Sequence, residues 1–450
     1  MMRAISAAVV TAVLLVPTAA SAQESYPPPG DPGQGPKGGQ GKAQKFRVCK
    51  QGCRYGTIAA ALKQADGADT IRVGRGTYRE GLQVVGKRYD GLKLIGNSSK
   101  PGRVVLNGKK LKRGAAQNAV LVNGADDVTI RGFHARNYKA NCFFVTNADG
   151  YTLDRLVAER CGVYGVYAFN SKGGRMTNSE AYYNNDAGFY IGQTPPQGAK
   201  KKRSLVKNVT AWGNVLGFSG TNMKYVTITK SRWYNNGTGI VPNALDSEKF
   251  APPEFNVIAN NDIFWNNFNF YYGAPFEIPG DAAAGFAGYP IGVGILLFGS
   301  QDTTVENNRI YGHYLGGFAA IPQLQLQIEH GDDPKLLEAS VLRNNVVRGN
   351  QFGREGSDRN ARDMAYNGSG TGNCFADNVT FSPNVPSSGS TLAPCPGPAQ
   401  NTVDDAVLGE ILPWATEGKP NQPATFEKYW IKNPHSTVPG VQPLERFDSN

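Results

Sequence analysis

Histidine is almost missing from this chain, with four residues in 450. None sits at ligand spacing from a cysteine, which excludes a finger-type or ribbon-type metal site. Long apolar runs are also missing. Beyond the first 22 residues no stretch approaches the 18 or so uninterrupted apolar residues that a membrane span needs. Cysteine stops at six and acids fall short of bases, 36 against 47, for a net charge of +11. No recognised nucleic-acid-binding module accompanies that positive charge, so a nucleic-acid partner is not expected. The expectation is a monomer with no membrane span.

What is present in quantity is a repeat. One copy reads VIANNDIFWNN from Val257, and others start at Val128, Tyr151, Gly174, Ser204, Val226, Thr304, Val341 and Cys374. Taken in chain order, the starts lie 23, 23, 30, 22, 31, 47, 37 and 33 residues apart. In the copy at Val226, Val226 and Ile228 alternate with Thr227 and Thr229, the period of a half-buried strand. Asn235-Asn236-Gly237 then turns the chain through residues that tolerate left-handed backbone angles. Each repeat near 22 residues holds three short strands and three bends and cannot bury its apolar face alone. Copies must stack, each strand pairing with its equivalent in the next coil. The fold class is therefore all-β, a parallel β-helix solenoid. The bend after the first strand falls at Gly132, Arg155, Asn178, Asn208, Lys230, Asn261, Asn308, Asn345 and Asn378, where stacked amides are expected.

Residues 1–22 have a basic start, an apolar centre and a small-residue end at Ala20-Ser-Ala22, the pattern of a secretory signal peptide. Residues 23–44 are a Pro- and Gly-rich linker. From Lys45 to residue 117 runs an N-terminal cap, with a helix over Thr57–Ala65 and short strands from Thr70, Gly81, Gly91 and Arg103. A cap is needed because open strand edges invite association. The repeats occupy 118–395. From Pro396 to Asn450 follows an irregular tail with seven acids and four bases. Trp414, Phe426, Tyr429 and Trp430 are its apolar anchors onto the solenoid end. Six cysteines in an exported chain imply three disulfides, with local pairing the simplest: Cys49–Cys53, Cys142–Cys161 and Cys374–Cys395.

Function is expected on the third strand of each coil. Alternation turns Phe143, Val166, Phe189, Phe218 and Ile240 inward and Phe144, Tyr167 and Tyr190 outward, about 4.8 Å apart. Such an aromatic ladder is a platform for sugar rings. The loops that follow lengthen, and long loops on a rigid scaffold tend to carry function. One holds Lys200, Lys201, Lys202 and Arg203, a second Asp246 and Glu248, a third Glu329 and His330. Asp186, four residues before Tyr190, falls at the edge of the same face. The excess positive charge lies between Lys45 and Cys395, which suits an acidic polymer.

The cap sequence Tyr55-Gly-Thr-Ile-Ala-Ala-Ala-Leu, the run Asp69-Thr-Ile-Arg-Val-Gly-Arg-Gly-Thr-Tyr-Arg-Glu80 and the repeats resemble right-handed parallel β-helix proteins of the pectin-lyase-like fold. The resemblance covers Cys49 to Cys395. It is nearest to bacterial exported β-helix proteins with segments like Asp186-Ala-Gly-Phe-Tyr-Ile-Gly-Gln193, many of them without assigned activity. It implies right-handed winding and a polysaccharide partner. The motifs of pectate lyases (Trp-Ile-Asp-His), polygalacturonases (Gly-His-Gly) and alginate epimerases (Asp-Pro-His) are absent, so no catalytic residue carries over.

Three functions follow as expectations. The first is a lyase or epimerase on an acidic polysaccharide. Tyr167 or Tyr190 would be its base, and Lys200–Arg203, or Ca²⁺ held by Asp246 and Glu248, its charge neutraliser. The second is a glycoside hydrolase with Asp186 and Asp246 as paired carboxylates. The third is a non-catalytic glycan-binding or cell-surface protein. All three place the protein outside the cell or in its envelope.

Overall fold

A computed structural model describes residues 29–33, 35, 38, 42–111, 116–270, 289–354 and 358–416. Residues 1–22, expected to be a signal peptide, most of the expected linker, and Phe426, Tyr429 and Trp430 lie outside the described residues. Among those described, the strands form three parallel sheets, and the chain visits one after another on each coil. The first sheet has twelve strands, from Lys45–Val48 to Cys374–Ala376. The second has ten, from Gly76–Tyr78 to Gln351–Phe352, and the third ten, from Leu82–Val85 to Met364–Tyr366. Parallel crossovers of this kind wind right-handed.

The alternation read from the sequence sets the core. In the first sheet, an inward column runs from Ile71 through Leu94, Ile130, Leu153, Met176 and Val206 to Phe375, one residue per coil in register. From the third sheet, Phe143, Val166, Phe189, Phe218 and Ile240 join the same interior cluster, as expected. Each fully buried side chain of this size contributes roughly 1.5–3 kcal/mol. Stacking coils is what removes both faces of a column from water.

The cap helix spans Ile58–Gln64, with the Thr57 hydroxyl accepting from the Ala60 N–H at 3.3 Å. Glu80 adds a second cap, taking the Ile58 and Ala59 N–H groups at 3.1 and 2.8 Å. All three expected disulfides form, with Cα–Cα distances of 5.5, 5.7 and 4.9 Å. Within the described tail, the helix Ala406–Ile411 and Trp414 pack on the outer face of the third sheet.

The bend positions need correction. Gly132, Arg155, Asn178, Asn208 and Lys230 are the left-handed residues of the bend. Asn261, Asn308 and Asn378 stand one residue later, after the left-handed Asn260, Asn307 and Asp377. At the first position Asn208 Nδ2–H donates to Asn178 Oδ1 at 2.6 Å, as expected, while the longer, buried stack belongs to the second position and runs Asn261, Asn308, Asn350, Asn378 through Nδ2–H···Oδ1 bonds of 2.9–3.0 Å. Asn345 stands at another corner, bonded to Asn373 at 2.9 Å. The repeat read from Val341 is accordingly out of phase, because its strand is Val346–Arg348 and Val341 caps the helix Pro334–Ser340. Asn345 and Asn350, five residues apart at different corners, look alike in sequence.

A third stack lies between the second and third sheets. It joins Asn184, Asn214, Asn236 and Asn266, then His313, then Asn360. His313 Nδ1–H donates to Asn360 at 2.9 Å, and Nε2 accepts from Asn266 at 3.1 Å. Burial holds this imidazole neutral, its pKa lowered to about 3. Outside the second sheet, Tyr182, Trp212, Tyr234, Phe264 and Tyr311 stack ring on ring, with interplanar angles of 5–13°.

Candidate functional site

Register places Phe144, Tyr167 and Tyr190 side by side on the outer face of the third sheet. The Phe144 and Tyr167 rings stack at 4.3 Å, and Tyr190 meets Tyr167 edge-on at 4.9 Å. The expected open platform is corrected here: the three residues are 0, 4 and 1% exposed. This outer face carries an apolar cluster of its own, with Leu121, Tyr164, Val215, Phe268 and Phe270 packed around the ladder. Phe144, sealed between neighbours, offers no ring face to a sugar.

A strap after the strand Thr238–Asn243 completes the cover. Asn222, a left-handed residue at φ 50°, donates from Nδ2 to the carbonyls of Leu245 and Glu248 at 2.7 and 2.6 Å. Its Oδ1 accepts from the Leu245 N–H at 3.2 Å, and Gln193 Oε1 accepts from the Lys249 N–H at 2.9 Å. These four bonds set the strap so that the buried Glu248 carboxylate accepts from the Tyr190 hydroxyl. Gly192 makes room, since a Cβ there would lie 2.6 Å from the Tyr190 hydroxyl and 2.7 Å from Glu248 Oε2.

Asp186 stands just before the strand Ala187–Gly192 and is buried. Its backbone is fixed by the coils on either side, through Asp186 N–H to the Val163 carbonyl at 3.1 Å and Val215 N–H to its own carbonyl at 3.0 Å. Its side chain is hydrogen-bonded to Tyr164. Burial lifts its pKa to about 7, against smaller opposing effects of that hydrogen bond and of the Ala187 N–H. Tyr164 packs against the ladder, its ring 4.6 Å from those of both Tyr167 and Tyr190. Burial and the Asp186 and Glu248 charges hold the Tyr164 hydroxyl well above the usual phenol range. Burial and the Glu248 charge do the same for Tyr190, so both hydroxyls keep their protons and donate, Tyr190 to Glu248 and Tyr164 to Asp186. Tyr289, raised by burial and by both carboxyls, closes the site, its hydroxyl accepting from Asn243 at 2.5 Å. The arrangement joins a carboxylic acid that holds its proton to neutrality with a second buried carboxyl and a set of phenol donors. That is equipment for proton donation and acceptance.

The other expected residues lie apart from this centre. Asp246 points the other way, to His330 Nε2 at 2.7 Å. Glu248, two residues on, takes the place beside Tyr190. The expected Asp246–Glu248 calcium cage is therefore not formed. Asp246, Glu329 and His330 do bring ligand atoms within 4.8 Å of one another. An imidazole with two exposed carboxylates does not fit calcium, which takes about six to eight oxygens. The basic loop leads into the first-sheet strand Ser204–Lys207. Lys202 pairs with Asp149 at 2.6 Å, Lys201 bonds the Gln197 carbonyl at 2.8 Å, and Arg203 bonds the Phe255 carbonyl at 3.1 Å. Lys200 stays exposed at the loop tip. Tyr164 and Tyr289 escape sequence reasoning because each lies outside the strands, where alternation assigns no face.

A sequence model described as right-handed beta helix region matches residues 118–273. The fold is the right-handed parallel β-helix. Among curated proteins, nothing matches. Among solved structures, the mannuronan C-5 epimerase AlgE4 A-module of Azotobacter vinelandii is similar at 16% identity and a TM-score of 0.48, over 72% of this chain and 91% of that one. Pectin methylesterase PemA from Erwinia chrysanthemi matches at 14% and 0.37, over 50% and 80%. Pectate lyase Pel9A matches at 15% and 0.36, over 76% and 78%.

Proposed function

We propose that this protein is an exported polysaccharide hydrolase whose reaction centre is the buried group Asp186, Tyr164, Tyr190 and Glu248. The observation that carries the reading is the buried Asp186 carboxyl, lifted to about 7 and bonded to Tyr164, whose ring packs on Tyr190, the donor to a second buried carboxyl, Glu248. Asp186 passes its proton to the glycosidic oxygen as the bond to the anomeric carbon breaks and the electron pair leaves with that oxygen. Water adds at the anomeric carbon, and Glu248 accepts the proton it gives up. Tyr164 and Tyr190 orient the two carboxyls. Substrate reaches them when the strap held by Asn222 and Gln193 lifts. The net charge of +11 supports an acidic polymer as substrate, and three disulfides support an oxidising location.

A lyase or epimerase would bring a sugar carboxylate beside Asp186 and Glu248 and would need a cation there. The cations expected for that task, Lys200 to Arg203, sit on the loop into the first sheet, two of them held by Asp149 and the Phe255 carbonyl. Burial and the neighbouring carboxyls keep Tyr164 and Tyr190 protonated, as donors. Digesting a panel of acidic and neutral polysaccharides tests the choice. New reducing ends without unsaturated-product absorbance are expected. Absorbance from an unsaturated product, or saturable binding with no product, overturns hydrolysis.

A further inference from the structure

The outer face of the first sheet carries a second feature, unconnected with the buried centre. In its first seven strands, alternation and register define the outward positions. They hold Lys45, Arg47, Arg72, Lys93, Arg131, Arg175 and Lys207 against Asp154, and at the edge of the same strands Asp149 is taken up by Lys172 at 3.7 Å and Lys202 at 2.6 Å. Asp154 is taken up by Arg131 at 2.8 Å and Arg155 at 3.5 Å. The other six are exposed, and among the described residues none has an ion-pair partner. The remaining five strands break the pattern. There the outward charges are only Glu306 and Arg348, bonded to each other at 2.7 and 2.9 Å. The positive charge is thus concentrated on one half of one face, over about 29 Å at roughly 4.8 Å per strand.

We infer that this half-face is a docking track for an acidic polysaccharide chain. Arg47 and Arg72 stand in register on neighbouring strands, the other cations lie within a few strands of one another, and like charges so gathered on one face repel. A polyanion laid along the track relieves that repulsion and releases its own counterions. The intervening outward positions include Thr70, Thr129 and Thr152, all partly exposed. Their hydroxyls suit sugar hydroxyls. The track has no aromatic side chain among its outward positions, which removes the base-stacking platform that single-stranded nucleic acid uses. Ile95 and Leu205 are its only large apolar side chains, too few to insert into a bilayer. The inference shares a partner class with the proposed function but rests on a different face, and its test needs no turnover.

The test is equilibrium binding of polygalacturonate to the intact chain across a salt series. Removing three exposed cations together, Arg72→Gln, Lys93→Gln and Arg175→Gln, is expected to weaken binding at least tenfold. It should also flatten the slope of log affinity against log salt by about two, at roughly 0.7 per contact. Arg348→Gln, at the other end of the same sheet, is expected to change neither. Asp186→Asn is expected to bind like the parent, which separates this track from the reaction centre. Thermal unfolding of the triple variant at the parent temperature establishes that its fold is kept. Parent-like affinity in the triple variant overturns the track. So does binding to duplex DNA or anionic vesicles with none to polygalacturonate.

Discussion

Replacing Asp186 by Asn should stabilise the protein at alkaline pH while removing its activity. The carboxyl is buried and has a pKa of about 7 in the fold, against 3.8 as its ordinary value. The unfolded chain ionises it freely. As pH rises from 3.8 to 7, the unfolded state loses this proton and the folded state keeps it, so stability falls by about 1.4 kcal/mol per pH unit. Above pH 7 the full penalty, on the order of 4 kcal/mol, applies. Below 3.8 the group is neutral in both states and there is no penalty. Asn keeps the shape and can still bond Tyr164, yet never ionises. The variant should therefore match the parent at about pH 4 to within about 1 kcal/mol. At about pH 8 it should exceed the parent by about 3–4 kcal/mol. For a chain of this length that is about 4 °C in melting temperature. Differential scanning fluorimetry at pH 4, 6 and 8 reads it directly. A melting-temperature difference that stays constant across those pH values would refute the burial argument.

Other outcomes follow from the same structure. His313→Leu leaves the Asn266 and Asn360 amides without their partner and should cost about 2–4 kcal/mol, whereas His313→Asn continues the stack and should cost less than half of that, by denaturant unfolding. Because the His313 pKa is lowered to about 3, the folded state refuses a proton that the unfolded chain accepts below about 6.5. Stability from this group falls as pH drops from 6.5 to 3, and His313→Asn should remove that part of the acid sensitivity. Gly192→Ala pushes a Cβ against the Tyr190 hydroxyl and Glu248; hydrolysis should drop at least tenfold while the far-ultraviolet circular dichroism stays unchanged. Cys142→Ser with Cys161→Ser opens a link across 19 residues and should lower stability by about 3 kcal/mol.

Much of the fold is legible because the solenoid repeats one local rule. Val226-Thr-Ile-Thr and its copies state inside and outside by alternation, and register then follows coil by coil. The choice between Asn345 and Asn350 lies beyond that rule, because the same residue type serves three corners. The rule misleads at Gly349-Asn350, where glycine takes the left-handed place and asparagine the stacked one. The site is legible in part. Alternation puts Tyr167 and Tyr190 on the right face, and the four-residue offset brings Asp186 to it. Burial is not legible, since outward from the solenoid core reads as solvent until the strap is seen to cover it. Asp246 pairs with Asp186 as readily as Glu248 does on paper, because a strap without periodicity gives no facing. Only the Asn222 and Gln193 bonds decide which of the two turns inward.

The central claim, that Asp186 delivers a proton to a glycosidic oxygen, meets its most direct test in the pH dependence of polysaccharide cleavage. Reducing-end release should decline above about pH 7 with unit slope as Asp186 loses its proton, and Asp186→Asn should abolish release at every pH. Cleavage that stays level to pH 9, or that survives in Asp186→Asn, would contradict the account.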